Sequence, residues 1–582
     1  MSMQSILMIR GVYSVYRNKE VINVGVLSLE LNKGLYMGID FGTTNSVVSI
    51  YQYDQNEVHT LKIDGYTVFP SAVQFETDSV TGELNRIFGL EAKESAVIYP
   101  ESTITSIKRR LESDEPIEIT SNEERFSFLP EAIVAEILAH LKNQADEYIR
   151  DVLNIFGAFS GCVITVPANS TDKQKRKMKK AAVMAGFDEE KVYLRLEPAA
   201  AAIQYAISSQ ESKKVLVYDF GGGTFDACVL NIEHMEDLSE PNISIVSTYG
   251  DNYLGGNDLD QLMADLIYEN FLEQTHHSID LYNVDAQDGL SVQEKKMAII
   301  RMKQVANQVK EKLSMTHNAK VVLAPFIQTP IPVNIQFELS RDEFYMHKRQ
   351  HQLDDPDYIF ERMKNESVDS LVERTMESVK KCLINGHIEA SDVDDIFLVG
   401  GSSAIPLVEQ KIKEYFQQEP YRSKISPALS ISQGAAHYCH QIMLPSTRGP
   451  KVYEKTIHSL GIEIAGRRYL EIIKRDMDIP EDGLVVEAPY TFETSHDDLT
   501  SMAIVVYEDL EPNQYQRKFV YEDSMRRLSG TTLRNIPSRP KGEEKIRVQF
   551  KLNQDNMLTV EAQSLDTEGI STSLTVDELY EK

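Results

Sequence analysis

The sequence predicts an α/β protein of two duplicated lobes followed by a separate all-β domain, and three observations carry that prediction. A short motif occurs twice at the end of an apolar strand, as Leu35–Tyr36–Met37–Gly38–Ile39–Asp40–Phe41–Gly42–Thr43–Thr44 and as Val215–Leu216–Val217–Tyr218–Asp219–Phe220–Gly221–Gly222–Gly223–Thr224. Helical spacing dominates the stretches between and after the two copies. Beyond Met443 the apolar period changes to two, as a strand requires.

Each copy reads strand, Asp-Phe-Gly, then Thr, and each runs on into another apolar stretch, Val47 to Tyr51 and Cys228 to Leu230. The two aspartates lie 179 residues apart, which is about one domain's length. A single Asp-Gly after a strand is a common turn; two copies at domain spacing point to phosphate binding. A strand-end carboxylate can hold Mg²⁺ through its waters, glycines let backbone N–H groups approach a phosphate, and threonine hydroxyls donate beside them.

Between the copies, Pro130 opens a predicted helix with Ile133, Ile137, Leu138 and Leu141 on one face. Val163 to Val166 reads as a buried strand, and Ser170 to Ala185 as a helix closed by Gly186. Its Lys173, Lys175, Arg176, Lys177, Lys179 and Lys180 make a basic face, either a solvated surface or a docking face for an acidic partner. Ser291 and Glu294 form a capping box ahead of a long helix carrying Met302, Val305, Val309 and Leu313. Ile396 to Val399 is a further strand ending in Gly400-Gly401-Ser402-Ser403, with Pro406 early in the next helix. Leu444 to Lys455, with Pro445, Gly449 and Pro450, reads as a linker. Past it, Ile546, Val548, Phe550 and Leu552 alternate with polar residues, and Met557 to Ala562 follows after a turn.

Composition narrows the function classes. The chain of 582 residues carries a formal charge of −29, which opposes general affinity for nucleic acid or anionic membrane. Its four cysteines are scattered, without metal-ligand spacing, and fit a reducing compartment. No apolar run is long enough for a membrane span, and charges interrupt the first 20 residues, so a cytoplasmic location is expected. Residues 1–36 read as an N-terminal extension, with translation expected to start at Met37; the alternative is a strand over Val21 to Leu31 on a sheet edge.

These motifs, in this order, resemble the DnaK-type 70-kDa heat-shock chaperones from Leu35 to about Val576. The resemblance rests on Asp40 to Ser46, Val166 to Ala168, Asp219 to Asp226, Leu254 to Gly256, Val399 to Ser402 and Ser459 to Glu463. It implies an actin-like ATPase of ribonuclease H-like duplicated lobes over 37–443, a linker over 444–455, a β-sandwich peptide-binding domain over 456–576 and a tail over 577–582 without a helical lid. In this the chain is similar to the short HscC-type members.

The resemblance further implies ATP and ADP as ligands, with Mg²⁺ and room for K⁺. Asp40 and Asp219 would hold hydrated Mg²⁺, with Glu197 reaching it through water. Gly42, Thr43, Thr44, Asn45, Gly222, Gly223 and Thr224 would bind phosphates. Lys108 would orient the attacking water, with Asp226 near it, although a surface position is the default for a lysine. Gly256, Lys310, Ser314, Gly400, Gly401 and Ser402 would surround the nucleoside. Leu460, Ile462 and Phe492 would line a cleft for extended hydrophobic peptides; ordinary sandwich core fits their alternation equally well.

Departures from the family pattern bear on function. Ala404 stands where the family stacks an arginine on adenine, Asn307 replaces a glutamate and Glu311 an arginine, which predicts weaker or faster-exchanging nucleotide. Leu196–Glu197–Pro198–Ala199 lacks two polar groups in a region where J-domain cochaperones dock, and Pro450–Lys451–Val452–Tyr453–Glu454 is less apolar than the family linker and less able to bury itself. The expected function is an ATP-dependent, monomeric chaperone, working with a J-domain cochaperone and a nucleotide exchange factor. The alternative is a nucleotide-dependent binding or regulatory module for a few dedicated partners, with little refolding activity. A small-molecule kinase and an actin-like filament protein both leave the β domain unexplained.

Overall fold

The computed structural model describes residues 6–576 apart from 10–11, 18–19, 24–33, 156, 169, 210, 235–240, 277, 284–285, 328–331, 349–364, 422–425, 445–450, 457–458, 476, 481–482, 510–518, 523, 554 and 556. Two six-stranded sheets frame two lobes. In the first, Leu35–Phe41 lies between a parallel neighbour, Gly161–Val166, and an antiparallel one, Asn45–Gln52. In the second, Lys213–Phe220 lies between parallel Asp395–Val399 and antiparallel Phe225–Glu233. The repeated motif thus marks a repeated sheet, with each Asp-Phe-Gly at the same strand end.

The strands read as apolar runs because both faces are covered. Every residue of Gly161–Val166 is buried. Helix Pro427–Met443 crosses the first sheet, and its Ala435 and Ala436 let it approach closely. The expected helix from Pro130 runs to Asp151, with Ile133, Ile137, Leu138 and Leu141 fully buried. Thr171, rather than Ser170, caps the basic helix Asp172–Met184, and Ser291 caps Val292–Met315 as expected. The outer part of the second lobe gathers Gly256–Gln274, Val292–Met315 and the hairpin Asn318–Ile327 with Val333–Ser340 around one core.

Beyond the lobes, Ser459–Ile464, Arg468–Ile473, Ser501–Asp509 and Met525–Arg534 form one sheet; Leu484–Glu487, Lys545–Leu552, Leu558–Ser564 and Ser571–Thr575 form the other. Ile546, Val548, Phe550 and Leu552 turn inward, each at most 2% exposed. The result is a β-sandwich.

Three expectations need amendment. Lys451–Lys455, read as linker, is a strand that pairs in parallel with Asn242–Ser244 of the second lobe, and Val452 packs on the lobe core. Strand pairing uses backbone groups, so its polar composition does not prevent docking. The basic helix meets acidic partners within the chain: Lys173 and Lys177 pair with Asp114, Lys180 with Glu131, and Lys179 with Asp555 of the sandwich. At the N-terminus, Ile6–Ile9, Val12–Arg17 and Glu20–Asn23 pair only with one another among the described residues; of the alternative strand over Val21 to Leu31, residues 24–31 lie outside the described residues. The first lobe strand opens at Leu35, two residues before the expected boundary. Residues 445–450 of the expected linker and the tail at 577–582 lie outside the described residues. Among those described, no helix is long and apolar enough to cross a membrane.

Candidate active site

The two repeated loops face each other across the cleft between the lobes. A Cβ built on Gly222 would lie 2.2 Å from Thr44 Oγ1, and one on Gly223 would lie 2.4 Å from Thr43 Oγ1. Only glycine at these two positions lets the opposed threonines approach. Thr44 Oγ1 donates to Asn257 Oδ1 at 3.1 Å, and Arg109 Nη2 donates to Gly223 O and Asp258 Oδ2, both at 3.1 Å, which ties one lobe to the other.

A cavity of about 390 Å³ opens between the loops. Asp40, Gly42, Thr43, Thr44, Asn45, Lys108 and Glu197 line it from the first lobe; Asp219, Gly222, Gly223, Thr224, Gly256, Lys310, Ser314, Gly400, Gly401 and Ser402 line it from the second. Asp226 stands behind this lining on strand Phe225–Glu233, directly opposite Asp219 and 1% exposed.

Negative charge is crowded at the base. Glu197 opens a helix directly after strand Val192–Leu196, and its Oε1 lies 2.7 Å from Lys108 Nζ. The same ammonium donates to Phe41 O at 2.6 Å. Burial, then the Glu197 charge, pushes the Asp40 carboxyl up to about 7, while Lys108 and a bond from Thr165 pull it back. Asp219 is driven well above the usual carboxylate range by burial first and then by Glu197, Asp226 and Asp40. Its Oδ2 is buried with no hydrogen-bond partner among the described residues. One lysine beside four carboxylates leaves a charge deficit that a divalent cation between Asp40 and Asp219 would supply. The residues present therefore fit a hydrated Mg²⁺.

Farther out, Lys310 Nζ lies 2.8 Å from Asp260 Oδ1 and donates to Gly256 O at 3.1 Å, while Asn307 Nδ2 donates to Asp260 Oδ2 at 3.1 Å. Ser402 Oγ donates to Gly221 O at 2.9 Å. Gly400 has a φ of +77°, and a Cβ there would lie 2.4 Å from Phe220 O and 2.7 Å from Asp219 Oδ1, so the chain passes against the motif strand only as glycine.

Comparison with known proteins decides what this cleft belongs to. The family model described as Hsp70 protein matches residues 36–581. The chain belongs to the Hsp70 family. It is 32% identical over 544 residues to the chaperone protein DnaK of Thermotoga petrophila, covering 92% of this chain and 79% of that one. DnaK of Thermosipho africanus is 31% identical over 547 residues, with the same shares covered. As an Hsp70, the chain is an ATPase of the chaperone class with actin-like lobes and a β-sandwich, and the family's ATP, ADP and Mg²⁺ are the ligands of such a cleft.

Sequence reasoning missed several residues of this Hsp70 cleft. Asn257 and Asp260 follow the Leu254-Gly255-Gly256 motif by one and four positions, and that proximity was the available signal. Arg109 follows Lys108 immediately and was overlooked because arginine beside lysine reads as surface charge. The peptide-cleft candidates fall elsewhere: Leu460 and Ile462 are 1% and 4% exposed inside the sandwich core, and partly buried Phe492 packs on it. As placed, the first two are core side chains.

Proposed function

We propose that this Hsp70 grips extended apolar segments of other proteins with its sandwich and lets them go when ATP draws the two lobes together. One observation carries the reading: the sandwich is attached to both lobes at once. Asp555 Oδ1 accepts the Leu194 N–H of the first lobe at 2.8 Å, while Lys451–Lys455 extends the sheet of the second. A body held at two lobes responds to the angle between them.

In this reading Asp40 and Asp219 would hold the hydrated Mg²⁺, and Glu197 would add its charge beside them. Bound there, the ion would neutralise the triphosphate and supply Lewis acidity. Gly42, Thr43, Thr44, Asn45, Gly222, Gly223 and Thr224 cradle the phosphates. Gly256, Lys310, Ser314, Gly400, Gly401 and Ser402 surround the nucleoside. Lys108 orients a water whose oxygen bonds to the γ-phosphorus as the bond to the β,γ-bridging oxygen breaks, leaving ADP and phosphate. Asp226 acts behind Asp219 as a positioning charge. Such transfer needs placement and charge compensation and no covalent nucleophile. A J-domain cochaperone and an exchange factor would act on this cycle, with the Leu196–Ala199 segment, two polar groups poorer than the family pattern, altering the first.

The burial of Leu460 and Ile462 favours a second reading, a nucleotide-driven module for a few dedicated partners. Release of a fluorescent apolar peptide from the full chain, timed with ATP and with ADP, separates the two. Faster release with ATP supports the chaperone; equal rates overturn it.

A further inference from the structure

Away from the cleft, the outer part of the second lobe brings three metal-ligating side chains together. Asp265 and Glu269 stand four residues apart on helix Gly256–Gln274, hence on one face. His347 follows the short helix Arg341–Met346, and its backbone N–H caps that helix on Glu343 O at 3.0 Å. The imidazole is thereby held against the carboxylates: Nε2 lies 3.0 Å from Asp265 Oδ2, and Nδ1 lies 3.8 Å from Glu269 Oε2. One ligand atom from each residue fits within a span of 4.8 Å.

Burial and charge both favour a cation here. The Asp265 side chain is 0% exposed and that of His347 8%, while Glu269 keeps one side to solvent at 26%. A close positive charge stabilises a buried carboxylate, and an ion held by the imidazole would lie near both acidic groups. Donor atoms around a tetrahedral ion with bonds near 2 Å stand about 3.3 Å apart, close to the 3.0 Å between His347 Nε2 and Asp265 Oδ2, with a Glu269 oxygen inside the same 4.8 Å span. One imidazole with two carboxylates selects a zinc-class ion over Mg²⁺ or Ca²⁺, which prefer all-oxygen shells.

We propose that Asp265, Glu269 and His347 form a zinc-class metal site, separate from the nucleotide's Mg²⁺, that fastens helix Gly256–Gln274 to the end of helix Arg341–Met346. Three protein ligands leave a fourth position to water on the Glu269 side. The site is structural in effect, because the same helix carries Gly256, Asn257 and Asp260 into the cleft at its other end.

The test uses the full chain with Mg²⁺ in excess, so that the cleft carboxylates are occupied, and titrates Zn²⁺ by calorimetry and Co²⁺ by visible absorption. The expected result is one equivalent bound, a Co²⁺ spectrum of low coordination number and a Zn²⁺-dependent rise in Tm. His347→Gln and Glu269→Gln should each weaken binding at least about tenfold. Glu269 is the more exposed ligand, so its variant carries the test should the histidine variant fail to fold. Zn²⁺ that does not bind the wild-type chain, or that binds both variants as tightly, overturns the site and leaves an imidazolium paired with two carboxylates. Neither outcome bears on peptide release.

Discussion

Replacing Asp555 with alanine should detach the sandwich from the first lobe, and the structure sets the size of the effect. The carboxylate is 6% exposed, accepts the Leu194 N–H at 2.8 Å, and lies 3.3 Å from Lys179 Nζ and 3.6 Å from Arg195 Nη1. Truncating one partner of a buried ion pair costs about 3–5 kcal/mol, much of it from the stranded charge. Here the stranded cations keep other company: Lys179 donates to Val192 O, and Arg195 donates to Leu194 O at 2.7 Å and lies over the Tyr438 ring. The cost therefore falls at the lower end, about 3 kcal/mol, or roughly a hundredfold shift toward the undocked form. Energy transfer between dyes on the first lobe and the sandwich, with ATP present, reads the docked fraction, and hydrogen exchange at the Leu194 amide reads the bond itself. Lys179→Ala and the double variant complete a cycle whose coupling should be about 1 kcal/mol or more. Unchanged energy transfer and exchange in Asp555→Ala would refute the reasoning.

Lys108→Ala should lower the turnover of ATP by about a hundredfold or more while nucleotide still binds, as for loss of one preorganised charge at the reacting group; single-turnover hydrolysis beside equilibrium binding checks it. Val452→Asp should cancel the acceleration of peptide release by ATP without changing basal hydrolysis more than severalfold, since it places a charge where Val452 packs on the lobe core. His437 and His440, on helix Pro427–Met443, are both pulled down to about 4, chiefly by burial. The unfolded chain takes up these protons first, near 6.5, so stability is full above that pH and declines as pH falls toward 4. Denaturant unfolding across that window should show the decline, and His440→Gln should flatten it.

The parts of this protein legible in its sequence are those whose signal lies within a few neighbouring residues. Asp40 and Asp219 announced themselves through the glycines and threonines beside them, and Ser291 announced its helix through Glu294. Asp555 was invisible because the residue whose N–H it accepts lies 361 positions away. The basic helix was legible as a pattern, but its partners Asp114, Glu131 and Asp555 are brought together only by folding. The linker misled for a physical reason: side-chain polarity says little about a segment that docks through its backbone. Leu460 and Ile462 stayed ambiguous because a period of two is the same for a residue under a groove and one inside a sandwich.

The two attachments of the sandwich end close to the chemistry. Strand Val192–Leu196, which offers Leu194 to Asp555, continues directly into Glu197, the partner of Lys108. Strand Asn242–Asp251, which receives the linker strand at one end, has Gly250 opposite Asp226 at the other. A paired strand is stiff along its length, so a shift at either docking point is carried to a carboxylate of the cleft with little loss. The converse also holds. Thr44 with Asn257, Arg109 with Gly223 and Lys296 with Glu101 all bridge the lobes, and they fix one lobe angle. Both docking contacts are satisfied together only near that angle, because one is anchored on each lobe. In the proposed cycle, opening the cleft would break Asp555 from Leu194 or peel Lys451–Lys455 from its sheet, and this geometric conflict, rather than any single contact, would couple the nucleotide to the sandwich.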